Sequence, residues 1–72
     1  MKAAVLPNLD KRGAYDVVVK LGEILKNEEI EAYLPEGMIF AGFKQLPEDE
    51  LYGIADIIIT IGGDGTIIRY AK

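Results

Sequence analysis

The stretch Ala55-Asp56-Ile57-Ile58-Ile59-Thr60-Ile61-Gly62-Gly63-Asp64-Gly65-Thr66 decides the reading of the chain. Residues 57–61 are almost continuously β-branched, as suits a parallel strand covered on both faces. The three glycines among residues 62–65 break that strand and let the backbone take positive φ and approach a ligand closely. A glycine-rich turn between a buried strand and a helix gathers backbone N–H groups into an anion pocket suited to phosphates. The carboxyl end of a parallel strand is also where open α/β sheets bind their ligands. A carboxylate inside such a pocket needs a purpose: Asp64 can hold a divalent cation that bridges phosphates, or take a proton from an attacking hydroxyl.

Working outward, Lys2–Leu6 is a short apolar run stopped by Pro7 and reads as a first strand. From Lys11 to Glu28, Ala14, Val18, Leu21 and Leu25 recur at helical spacing, with Val17 and Ile24 widening the stripe. Glu28–Leu34 alternates, with Ile30, Ala32 and Leu34 on one face, and predicts a second strand ended by Pro35. Residues 36–46 read as loop. Pro47, followed by Glu48, Asp49 and Glu50, marks the start of a short helix. The order strand, helix, strand, helix, strand predicts a parallel, Rossmann-like α/β sheet with right-handed crossovers and a third helix starting after Thr66. Asp-Gly between apolar runs is also a hairpin signal, and residues 66–70 are rich in strand formers. The parallel-strand character of residues 57–61 and the chain order before them nevertheless favour the phosphate loop. An antiparallel reversal at residues 62–66 would end the phosphate-cup reading and the function built on it.

Composition narrows the chemistry. The 72 residues contain no cysteine, histidine or tryptophan, and carry 12 acidic and 8 basic side chains for a net charge of -4. Disulfides, thiolate nucleophiles and histidine-based triads are excluded. The acidic balance disfavours nucleic acid, which calls for clustered Lys and Arg. No apolar run approaches the ~20 residues of a membrane helix, and no signal peptide is evident, so a cytoplasmic location is expected. No GxxxxGK[ST] is present, and no GxGxxG follows the first strand. Half the residues are apolar, as in a globular domain.

Residues Ile59–Arg69, preceded by Ala55-Asp56, resemble the GGDGT signature of the NAD kinases. Lipid kinases and phosphofructokinases share the glycine core, but Ile67-Ile68-Arg69 resembles the NAD kinase continuation. The resemblance implies phosphoryl transfer from ATP, or inorganic polyphosphate, to the 2′-hydroxyl of NAD to give NADP, with Mg²⁺ or a similar ion. It further implies that Asp64 accepts the hydroxyl proton, with Gly65 beside it. Gly62 and Gly63 would shape the phosphate loop, and Arg69 would contact the dinucleotide. Thr66 is as readily a helix cap as a ligand contact. On this resemblance, residues 1–72 are the N-terminal nucleotide-binding part of a longer, homo-oligomeric kinase. Its β-rich NAD-binding domain would lie outside them, and the fragment alone would be inactive. Metal ligands are not assigned. The alternatives are a lipid or sugar kinase sharing the loop, and a non-enzymatic α/β interaction domain whose glycines only turn the chain. Asn8 falls at the ligand edge of a parallel sheet, though a turn or cap role suits it too. The four tyrosines read as half-buried packing.

Overall fold

The computed structural model describes residues 1–62 and 65–71. They form β1 (Lys2–Pro7), α1 (Ala14–Asn27), β2 (Glu31–Pro35), β3 (Lys44–Leu46), α2 (Glu48–Ile54), β4 (Ile57–Gly62) and β5 (Gly65–Tyr70). One sheet has the order β3-β2-β1-β4-β5. Its first four strands are parallel and β5 is antiparallel to β4. The expected α/β architecture with a mostly parallel sheet is therefore present.

Both faces of the sheet are covered, which explains the unbroken apolar character of residues 57–61. Val5, Ile59 and Leu34 point to one face and pack with Ala14, Val18 and Leu25 of α1. Ala4 and Ile58 point to the other and pack with Leu51 and Ala55, at and just beyond α2. The two helical crossovers run in opposite directions across the sheet, from β1 outward to β2 and from β3 back past β1 to β4. With the same hand, opposite directions place the connecting helices on opposite faces. The predicted core stripe of α1 is narrower than its spacing suggests. Val17 and Ile24 lie on exposed flanks, 38% and 57% accessible.

Besides β2, which begins at Glu31 and not at Glu28, three local features depart from the sequence reading. Helix α1 begins at Ala14 and not near Lys11, because Gly13 adopts φ 82°, a left-handed conformation incompatible with the helix. The stretch 36–46 contains the short strand β3, paired with β2 from Tyr33↔Lys44 to Pro35↔Leu46. The preceding loop takes the place of a crossover helix: Met38, Phe40 and Phe43 pack against the α1-side core, and Tyr15 and Phe40 meet with ring centroids 4.8 Å apart. Gly22 admits that loop, since a Cβ there would lie 2.6 Å from the Phe43 ring.

The third departure concerns the motif. The helix expected after Thr66 is strand β5, running back along β4 with Gly62 opposite Gly65 and Ile57 opposite Tyr70. Gly65 has φ 129°, which favours glycine at the point where β5 begins. The β-branched residues Thr66, Ile67 and Ile68 favour the extended chain, and β4 would otherwise lack a hydrogen-bonding partner on that side. Thr66 consequently stands opposite Ile61 in a ladder and caps no helix.

Candidate nucleotide site at the carboxyl edge of the sheet

Strand β1 lies between β2 and β4, and the chain leaves it toward β2 on one side and later returns to β4 on the other. This is a topological switch point, where neighbouring connections diverge and leave a crevice at the carboxyl ends of the strands. The register Pro7↔Ile61 brings the ends of β1 and β4 level. The backbone N–H of Asn8 donates to the carbonyl of Ile61 at 2.8 Å, extending that pairing past the strand end. Asn8 is thereby held beside the start of the glycine motif.

A cavity of about 380 Å³ opens at this edge. Leu6, Pro7 and Asn8 from the end of β1 line it together with Thr60, Ile61 and Gly62 from the end of β4. Pro35, Met38 and Glu48 close its far side. Its volume lies within the ~300–1,000 Å³ typical of small-molecule sites, and its lining mixes apolar walls with a few polar groups. The Asn8 side-chain oxygen accepts the Asp10 N–H at 3.2 Å, an Asx turn that orients the amide.

The sequence-assigned residues divide as follows. Gly62 lines the cavity. Gly63 and Asp64 lie outside the described residues. Gly65 and Thr66 open β5 immediately beyond. Arg69 pairs with Ile58, four residues from the Gly65 end of β5, roughly 13 Å along the strand. The arrangement therefore brings Asn8, Gly62 and Thr60 together and sets Arg69 toward the opposite end of the sheet. Glu48, read from sequence only as a helix-start acid, stands at the cavity because α2 begins at the carboxyl edge. No local signal announces that placement, which depends on how the second crossover is routed.

Asp56 has a different place. Its carboxylate accepts the Lys2 backbone N–H at 2.7 Å, and its own N–H donates to the Lys2 carbonyl at 2.8 Å. Its carbonyl accepts the Ala71 N–H at 2.9 Å. Asp56 thus ties β1 and the end of β5 to the start of β4, at the edge of the sheet opposite the cavity. Among the described residues no group of three or more His, Cys, Asp or Glu side chains is placed to hold a metal ion. They do not by themselves fit a divalent cation. Nor is any helix among them long and apolar enough to cross a membrane.

No family model and no solved structure matches the chain. Among curated proteins it is similar to an NAD kinase from Natranaerobius thermophilus, with 31% identity over 71 residues. The match covers 94% of this chain and 25% of that kinase, so the chain spans about a quarter of its relative's length. A likeness carried first by residues 59–69 thus extends through both helices and the strands before them, and nearly the whole chain resembles a part of an NAD kinase.

Proposed function

We propose that this chain is the nucleotide-binding part of a kinase that transfers a phosphoryl group from ATP, or from polyphosphate, to the ribose 2′-hydroxyl of NAD. The observation that carries the reading is the similarity to an NAD kinase along 94% of the chain. In support, Gly62 ends β4 next to the switch point and lines its cavity. Strand β5, in place of the expected helix, is the antiparallel reversal set above against a helix-ended phosphate cup, and the similarity to an NAD kinase alone carries the proposal.

In the proposed reaction the ribose oxygen attacks the terminal phosphorus of ATP, the bond from that phosphorus to the bridging oxygen breaks, and ADP leaves. The hydroxyl proton passes to the Asp64 carboxylate. Such transfer depends on positioning and charge neutralisation more than on a reactive nucleophile, in keeping with a chain lacking cysteine and histidine. Gly62, Gly63 and Gly65 would bring backbone N–H groups to the phosphates, and Thr66 and Arg69 would contact the dinucleotide. A chain that spans a quarter of a kinase is not expected to turn NAD over alone, so the assay belongs to the protein that carries this sequence.

In that protein, Asp64→Asn is expected to lower NADP formation from NAD and ATP by at least about 100-fold, the usual contribution of a positioned general base. Unchanged activity would overturn the reading. The antiparallel β4–β5 pair favours one competing view, in which the glycines only reverse the chain. That view requires Asp64→Asn to leave nucleotide affinity and activity as they were. Phosphorylation of diacylglycerol in place of NAD would instead indicate a lipid kinase.

A further inference from the structure

The two edges of the sheet are finished differently. Strand β3 ends one side with three residues, of which Lys44 is charged and paired to Glu31. Short length and a lysine are usual protections of a strand edge. Strand β5 ends the other side with six residues, Gly65–Tyr70, without proline or acid, and all their side chains are exposed. Its hydrogen-bonding phase is set at both ends. The Ala71 N–H donates to the Asp56 carbonyl at 2.9 Å, so residue 71 turns toward β4. Ile61 gives its carbonyl to the Asn8 N–H on the β1 side, so its partner Thr66 turns away from β4. Alternation in an antiparallel ladder then has Gly65, Ile67 and Arg69 bonded to β4. Thr66, Ile68 and Tyr70 are left presenting their backbone N–H and C=O groups outward, as a template for another strand.

We propose that this edge is an interface between two copies of the chain, with β5 antiparallel to β5 of the second copy about a two-fold axis at Ile68. Centred there, Ile68 stands opposite Ile68 of the second copy and Thr66 opposite its Tyr70, so every outward N–H and C=O of both strands is paired. The one charge of the strand selects the same register. Centring on Arg69 would set two guanidinium groups face to face, and centring on Ile67 would leave Tyr70 unpaired. With the axis at Ile68, each Arg69 faces Ile67 of the other copy. A two-fold contact requires a surface that complements itself, and this strand does. Pairing β5 with the β3 of a second copy would be head-to-tail and would meet a three-residue edge guarded by Lys44. One strand pair is a small interface, below about 1,200 Å² in total, so the association is weak and depends on concentration. In dilute solution β5 keeps its free edge. The proposal does not rest on the kinase reading and holds or fails whatever the protein phosphorylates.

The test follows the ¹⁵N-labelled chain through a dilution series by sedimentation equilibrium and amide hydrogen exchange. The mass is expected to rise from one copy to two with concentration. The amides of Thr66, Ile68 and Tyr70 should gain protection in step, while those of Ile67 and Arg69 are protected throughout. Ile68→Lys changes an exposed side chain and sets two ammonium groups against each other across the axis. It should weaken association at least about tenfold, since like charges facing each other across an interface are strongly disfavoured. Ile68→Glu should do the same alone, and an equimolar mixture of the two variants should recover association. Ile68→Pro removes an outward N–H and no bond to β4, and should cause the same loss by a second route. Far-UV circular dichroism establishes that each variant is folded. A native chain that is monomeric at every concentration would overturn the proposal. So would a dimer in which those three amides stay unprotected, or a mixture of folded Lys and Glu variants that does not associate. Protection of the three amides in a monomer would also overturn it, because something other than a second copy would then cover the edge.

Discussion

The two ends of the sheet are built for different purposes. At the amino end the polar groups are tied to one another: Asp56 binds the backbone of β1 and the residue after β5, and Glu31 pairs with Lys44 at 3.1 Å across the β2–β3 edge. At the carboxyl end the same strands part around a cavity, with Asn8, Thr60 and Glu48 facing open space. Strand β4 joins the two, with Asp56 just before it and Gly62 as its last residue. The difference teaches that a motif read as one string, from Asp56 to Thr66, has a structural half at Asp56 and a half to which nucleotide binding is proposed. Burial of the intervening isoleucines holds the halves apart.

The largest expected effects test that division directly. On the proposed function, Asp64→Asn is predicted to remove most phosphoryl transfer, as above. Asp56→Ala is predicted to act on stability. It leaves the Lys2 N–H without its carboxylate partner, a loss of about 1–3 kcal/mol for a part-buried group. Urea denaturation measures it, and activity per folded molecule should be retained. If Asp56→Ala instead removed activity without lowering the denaturation midpoint, the division between the ends would be wrong.

Strand β5 offers a smaller contrast. Its backbone pairs with β4 and its far end is anchored by the bond from Ala71 to Asp56, yet all its side chains are exposed. Ile68 faces Ile59 in the register, but Ile68 is 62% accessible and Ile59 only 1%. Ile68→Thr should change the unfolding free energy by less than about 0.5 kcal/mol. A large loss would show that β5 packs against something.

The smallest effect concerns Glu31 and Lys44. The hydrogen bond from Lys44, and then its charge, hold the Glu31 carboxyl below its ordinary pKa, and Glu31 raises that of Lys44 in the same way. For Glu31 the folded value is the lower one, so its contribution is present above the unfolded pKa and is lost as pH falls through the folded one. For Lys44 the folded value is the higher one, so its contribution is present below the unfolded pKa and is lost as pH rises through the folded one. Both groups are solvent-exposed, and the net effect on stability is small. Lys44→Ala should move the Glu31 titration, followed by carboxyl NMR, upward toward the usual carboxylate range. A curve that does not move would show that the pair is not formed in solution.

Much of this molecule could be read locally. The period of Ala14, Val18 and Leu25 announced α1, the alternation of Ile30, Ala32 and Leu34 announced β2, and Pro47 with three acids announced α2. Residues 57–61 announced a strand buried on both faces. Strand β3 could not be read that way, because three residues, Lys44-Gln45-Leu46, carry no period and are ordered by pairing with β2. The path after Gly62 was equally closed to local reading, since Asp-Gly before a β-branched run fits a turn into a strand as well as a loop into a helix. The free edge of β4 resolved it.

By itself, the order of residues determined the element types, the apolar faces and the glycine motif, because these depend on spacing and backbone freedom within a few positions. Tertiary structure alone decided that Asn8, Gly62 and Glu48 share one cavity, that Arg69 stands apart from it, and that Asp56 is a tie. Those are relations between residues as many as 54 positions apart, and only strand order and crossover direction bring such residues together.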